Sequence, residues 1–183
     1  MRKELGRKPL IFPQPVLIIG TYDENGTPDL MNAAWGSVGD DHQVFLCLSP
    51  GHKTVKNILA KKEFTVSIGT EDQLEACDYV GIASGNDTPD KVSKSGLHTS
   101  KAAHVDAPAV DELPLVLECK LVSYEDEHCH LFGDIVCTSA DESILTDGKV
   151  DAAKLKPIIY DIETHDYWSF GKPVGRAFSA GKE

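Results

Sequence analysis

A hairpin signal near the N-terminus does more than any other feature to limit the folds open to this chain. Gln14 to Tyr22 is an aliphatic run that stops at Asp23-Glu24-Asn25-Gly26, and Asn-Gly supplies the positive φ angles a tight reversal requires. The spacing predicts that Leu30 to Val38 returns antiparallel to the first run. A third strand over Gln43 to Ser49 follows, and its Val44-Phe45-Leu46-Cys47-Leu48 core reads as buried on both faces. Farther along, Leu113 to Tyr124 alternates apolar and polar residues, and Leu131 to Thr138 answers it across a polar turn at Glu125 to His130. Phe64 to Ile68 is a half-buried strand, and Pro157 to Gly171 adds Ile158-Ile159-Tyr160 and an aromatic group. Six or seven strands joined by hairpins predict a mainly β fold, a closed or partly closed antiparallel barrel, because closure removes exposed edges.

Helical segments are few and short. Val55, Ile58 and Leu59 have helical spacing in a segment ending at Lys61-Lys62, and Thr70 with Gln73 predicts a capping box for a helix carrying Leu74, Cys77 and Val80. Ser84 to Asp87 reads as a loop, and Pro89 to Ser95 as one or two helical turns stopped by Gly96. No repeat or linker divides the chain, so residues 1–183 are expected to form one domain with its core over about 13–171.

Charge excludes one class of partner. With 18 basic and 29 acidic residues the chain carries a net charge of −11, which repels nucleic acid and anionic lipid unless a local basic pocket intervenes. The longest aliphatic run, Val16 to Ile19, is too short to span a bilayer, and the chain is expected to be cytoplasmic without a membrane partner. Five cysteines without a C-x-x-C argue against a disulfide framework, and Cys47, Cys119 and Cys137 sit in apolar runs as small hydrophobes.

Three segments carry chemistry. Ser49-Pro50-Gly51-His52-Lys53-Thr54 opens a helix, where unpaired backbone N–H groups, two hydroxyls and the flanking cation make a phosphate cradle; the alternative is a helix cap with solvated lysines. Asn32-Ala33-Ala34-Trp35 sets small residues beside a polar amide and a stacking face, which suits a planar heterocycle but equally a crowded strand beside a core tryptophan. His128-Cys129-His130 contains zinc-ligand types, but alternate residues of an extended segment face opposite ways, so no metal site is expected there. Hydrolase, zincin, dinucleotide-fold and P-loop motifs do not occur.

The order of Gln14-Pro15-Val16, Thr21 to Gly26, Asn32-Ala33-Ala34-Trp35, Ser49 to Ile58, Glu63-Phe64-Thr65-Val66, Asp90-Lys91 with Gly96-Leu97, and Leu117-Glu118-Cys119 resembles the flavin reductase-like, flavoredoxin-type family. The resemblance implies an FMN-binding split β-barrel with Greek-key-like connections that works as a homodimer. It puts the FMN phosphate at Ser49, His52, Lys53 and Thr54 and the isoalloxazine and ribityl chain along Asn32, Ala33, Ala34 and Trp35. Ser84, Gly85 and Lys91 match a loop that closes over the flavin, and Tyr167 and Trp168 a C-terminal aromatic segment. The family's Asp-Lys-Phe is Asp90-Lys91-Val92 here.

The activity implied is an NAD(P)H-dependent flavin oxidoreductase, with NADPH or NADH as donor. The alternative is a flavoredoxin-like electron carrier. A redox protein or a flavin-dependent monooxygenase is the implied protein partner. Hydride transfer to a flavin needs no acid or base from the protein, so no catalytic residue is assigned.

Overall fold

The computed structural model describes residues 1–182. Its strands are β1 (Gln14–Pro15), β2 (Leu17–Tyr22), β3 (Pro28–Ala33), β4 (Gly36–Asp40), β5 (Gln43–Cys47), β6 (Glu63–Ile68), β7 (Thr99–Lys101), β8 (Pro108–Val110), β9 (Leu115–Glu125), β10 (His130–Ala140), β11 (Leu145–Thr146), β12 (Lys149–Val150), β13 (Ile158–Tyr160) and β14 (Tyr167–Ser169). Four short helices interrupt them: α1 (Lys53–Lys61), α2 (Leu74–Ile82), α3 (Lys91–Ser95) and α4 (Ala152–Leu155).

Seven strands form one antiparallel sheet in the order β3-β2-β6-β9-β10-β5-β4. Strands β3 and β4 occupy its two edges, yet only Ala34 and Trp35 separate them in the chain. The sheet must therefore curl until its edges meet. At that seam the carbonyl of Trp35 accepts the amide of Cys47 at 2.8 Å, which carries the β4–β5 ladder up to the crossing. The partly closed antiparallel barrel expected from the hairpin pattern is what forms. The single strand expected over Leu30 to Val38 is corrected to two, because the chain has to step from one edge to the other at Ala34-Trp35.

Two apolar clusters sandwich β2. Leu17 and Ile19 join Met31, Val44, Leu46, Val55, Ile58, Phe64 and Leu131 on the concave side, while Val16 and Ile18 join Leu30, Cys77, Val80, Val92 and Leu113 beneath α2 and α3. The strands buried on both faces are thus β2 and β6, so the half-buried strand expected over Phe64 to Ile68 is corrected, since Thr65 and Ser67 are as buried as Phe64 and Val66, and the two-faced burial expected for β5 is corrected as well. Strand β5 alternates buried Val44 and Leu46 with half-buried neighbours because it lies next to the edge strand β4, which is mostly exposed. Cys47, at its end, is half-buried, and Cys137 likewise, whereas Cys77 and Cys119 are buried.

Local signals fare unevenly. Helix α3 ends at Gly96 with φ +81°, and Gly26 takes φ +81° in the first hairpin, as the turn chemistry requires. The expected Thr70–Gln73 capping box does not form: Thr70 is pinned by a β-bridge to Pro157, and its side chain makes no cap bond. The β9–β10 hairpin turns over residues 126–129 and carries two irregularities, one of which leaves Val136 unpaired between Ile135 opposite Cys119 and Cys137 opposite Glu118.

Strand β2 tolerates no side chain at Gly20, where a Cβ would meet the Pro108 carbonyl and, at 2.5 Å, the Thr65 hydroxyl. Gly20→Ala is expected to lower stability by about 2 kcal/mol or more, against about 1 kcal/mol for Gly26→Ala, where only the positive φ is strained. Urea unfolding of the two variants checks the order. Burial pushes the thiols of Cys77 and Cys119 up, to about 11 and about 12, from an ordinary value of 9.0. The unfolded chain therefore loses these protons first, so stability should hold below pH 9 and fall as pH climbs from there toward these raised values. A Cys77→Ala/Cys119→Ala variant should show a flatter decline in urea midpoint over that range.

Candidate functional site

Two clefts meet where β3, α1 and α2 converge. The larger, about 410 Å³, runs past Ala33, Ala34, Trp35, Cys47 and Leu48 to Tyr160, His165 and Tyr167. The smaller, about 270 Å³, lies over Lys53, Thr54, Ser84, Gly85 and Lys91. Met31, Asn32, His52, Gly81 and Ile82 border both, which makes them one continuous groove. Eleven of the thirteen residues singled out in the sequence line this groove: Asn32, Ala33, Ala34, Trp35, His52, Lys53, Thr54, Ser84, Gly85, Lys91 and Tyr167. Ser49 and Trp168 line neither cleft; Ser49 offers its carbonyl to the His52 amide, and Trp168 lies exposed on β14 opposite Ile159.

Beneath the smaller cleft is a buried polar network that the sequence did not announce. Asp29 accepts the Thr54 hydroxyl at 2.5 Å and pairs with the Lys91 ammonium at 3.1 Å, both charged side chains being about 95% buried. Lys91 also donates to the carbonyls of Val80 and Ala83 at the C-terminus of α2, at 3.4 and 3.1 Å. Gly85 packs so closely on Asp29 that a Cβ would collide with its carboxylate. The signal for Asp29 was available: the Asn25-Gly26 hairpin sets it opposite Thr21, a buried hydroxyl that receives the Asn57 amide at 3.0 Å.

The start of α1 is left open. His52 caps it with no side-chain bond, and no acid sits in its first turn, so the leading amides and their partial positive charge face the groove. Lys53 is partly exposed, 3.6 Å from Asp23. Asn86 ties the Ser84–Asp87 loop to this helix start, donating to Gly51 at 3.1 Å and accepting from Lys56 at 2.9 Å.

At the other end, Asn32 is not a free amide: it donates to the Cys77 carbonyl at 3.0 Å and to the Tyr167 hydroxyl at 3.4 Å. Tyr167 in turn donates to Asp78 at 2.8 Å, and burial together with that carboxylate raises its phenol above the ordinary range. Tyr160 and His165 meet at 2.5 Å beside it. Asp78, Gly81, Tyr160 and His165 escaped the sequence reading because long-range packing alone brings them to the groove. Gly81 is needed there, since a Cβ would lie 2.9 Å from that of Asn32.

Lys91→Met should cost about 3–5 kcal/mol by stranding a buried carboxylate, and Asp29→Asn/Lys91→Met less than the sum of its parts. Urea unfolding of the single and double variants measures the difference.

This geometry has relatives. The flavoredoxin of Desulfovibrio vulgaris (Miyazaki F) superposes with a TM-score of 0.95 at 36% identity over 100% of both chains. A flavoredoxin from Methanosarcina acetivorans gives 0.88 at 26% identity, over 100% of this chain and 98% of its own. An uncharacterized protein of Aquifex aeolicus (strain VF5) is 28% identical over 163 residues, 81% of each chain. The family model described as "Flavin reductase like domain" matches residues 7–160, and the chain, barrel and groove together, belongs to that family.

Proposed function

We propose that the chain, as one domain, binds FMN in the groove and works as an oxidoreductase that passes electrons from reduced nicotinamide to flavin. The observation that carries this reading is the contrast along the groove, with Ala33, Ala34, Trp35 and Leu48 at one end and Lys53, the Ser84–Gly85 loop and the start of α1 at the other. The donor set fits the cofactor: the open start of α1, Lys53 and the Ser84–Gly85 loop suit a phosphate, and Ala33, Ala34, Trp35 and Leu48 suit a planar ring. His52 borders both parts, where a ribityl chain would run. Ser49 would reach the phosphate only from the loop before the helix, and Trp168 only the outer rim. Lys91 acts here as a positioning residue, because its charge is spent on Asp29 and the end of α2. Bound FMN supplies hydride acceptance at N5 and electron release in one- or two-electron steps. The protein's part is orientation and exclusion of water.

The relatives' names favour a second reading, a flavoredoxin-like electron carrier that takes electrons from a protein. Likeness along the whole chain to a flavoredoxin supports it, as does a charge of −11 suited to a basic redox partner. Steady-state oxidation of NADH or NADPH with excess FMN separates the two: turnover supports the reductase, and absence of turnover with either donor supports the carrier. A homodimer fits both readings, since the apolar recess formed by Pro15, Leu17, Val38, Val66, Ile68 and Ile135 is left uncovered at the barrel mouth. Light scattering should give about twice 19.9 kDa.

Lys53→Glu should weaken FMN binding at least about tenfold without unfolding the chain, because it replaces a phosphate-facing cation by a repelling anion. Quenching of FMN fluorescence during titration measures the affinity. Unchanged affinity would move the phosphate elsewhere.

A further inference from the structure

We infer that His104, Glu118 and Cys137 form a binding site for one borderline-soft divalent cation of the zinc type, on the outer face of the barrel and away from the groove. One ligand atom from each of the three lies within 4.8 Å of the other two. They come from three places in the chain: His104 from the turn between β7 and β8, Glu118 from β9 and Cys137 from β10.

The unpaired Val136 is what makes the set. Opposed residues of an antiparallel pair point to the same face, and in an unbroken register Cys137 would face Leu117 toward the core. The bulge moves it opposite Glu118 instead, which turns the thiol to the outer face. Glu118 is 3% exposed, an uncommon place for a carboxylate, and it meets no lysine or arginine. Its partners are the His104 amide, which donates to Oε2 at 2.6 Å, and His104 Nδ1, 3.1 Å from Oε1. The first bond fixes the carboxylate. The second distance is already close to the edge of about 3.4 Å that bond lengths near 2.1 Å imply for a tetrahedral zinc site, so small side-chain rotations close the set. His104 is exposed, which leaves an entry path and a fourth position for water.

The molecule contains its own control. His98 and Glu112, also fourteen residues apart, make the same amide and imidazole contacts, but the Glu112 side chain is 25% exposed against 5% for Glu118, and no cysteine completes the group. That pair ties a loop; the buried carboxylate and the bulge-directed thiol set the other apart.

Zinc binding to the reduced, chelator-treated full-length protein, followed by calorimetry, tests the inference, with Co²⁺ as a spectroscopic probe at wavelengths beyond flavin absorption. The expected result is one Zn²⁺ per chain and tetrahedral cobalt bands, with affinity lowered at least about tenfold by either Cys137→Ser or His104→Ala and unchanged by His98→Ala. Circular dichroism verifies that each variant folds, and the two variants do not share an element. Absence of stoichiometric zinc at about 100 µM would overturn the site, as would binding that survives both substitutions. Neither result depends on whether FMN occupies the groove.

Discussion

The pair formed by Lys91 and Asp29 holds the groove in shape. A lysine this deeply buried is stable only if every donor finds a partner, and here the ammonium meets one carboxylate and two carbonyls at the end of α2. Asp29 passes the constraint on through Thr54, so β3, α1, α2 and α3 are fixed relative to one another by a single polar knot. Every loop that borders the cationic end of the groove is anchored to one of those four elements.

That knot also explains which charges remain free. Lysines that look alike in sequence do different work: Lys91 is consumed internally, Lys56 holds Asn86, and Lys53 keeps enough exposure to meet a ligand. In a chain with a net charge of −11, a partly exposed cation held only by Asp23 at 3.6 Å, beside open helix amides, works locally against the overall negative field.

Features carried by neighbours in sequence were legible from it. Asn25-Gly26, the alternation along β9 and Gly96 after α3 each specify local geometry, and each gave the right turn, strand or stop. Features that depend on closure were not. No local pattern marks Ala34-Trp35 as the step between two sheet edges, so two strands read as one, and β5 read as central although it lies next to an edge. Thr70 had the right neighbours for a capping box, but Pro157, far along the chain, claimed it first. The groove shows the same division: its two ends were readable as short segments, whereas Asp78, Tyr160 and His165 arrive by packing between distant elements. Cys47 was read as core for the same reason; it ends its strand at the groove, and its half-buried state follows from that position.

The step at Ala34-Trp35 gives the barrel a seam, and the floor of the groove is laid across it. The Trp35–Cys47 bond belongs to the β4–β5 ladder, so what joins the two edges here is the chain itself at Ala34-Trp35, and a shift of one edge against the other is delivered to the groove through these two residues. Two residues thus serve two ends at once, joining the margins of the sheet and forming part of the wall of the larger cleft.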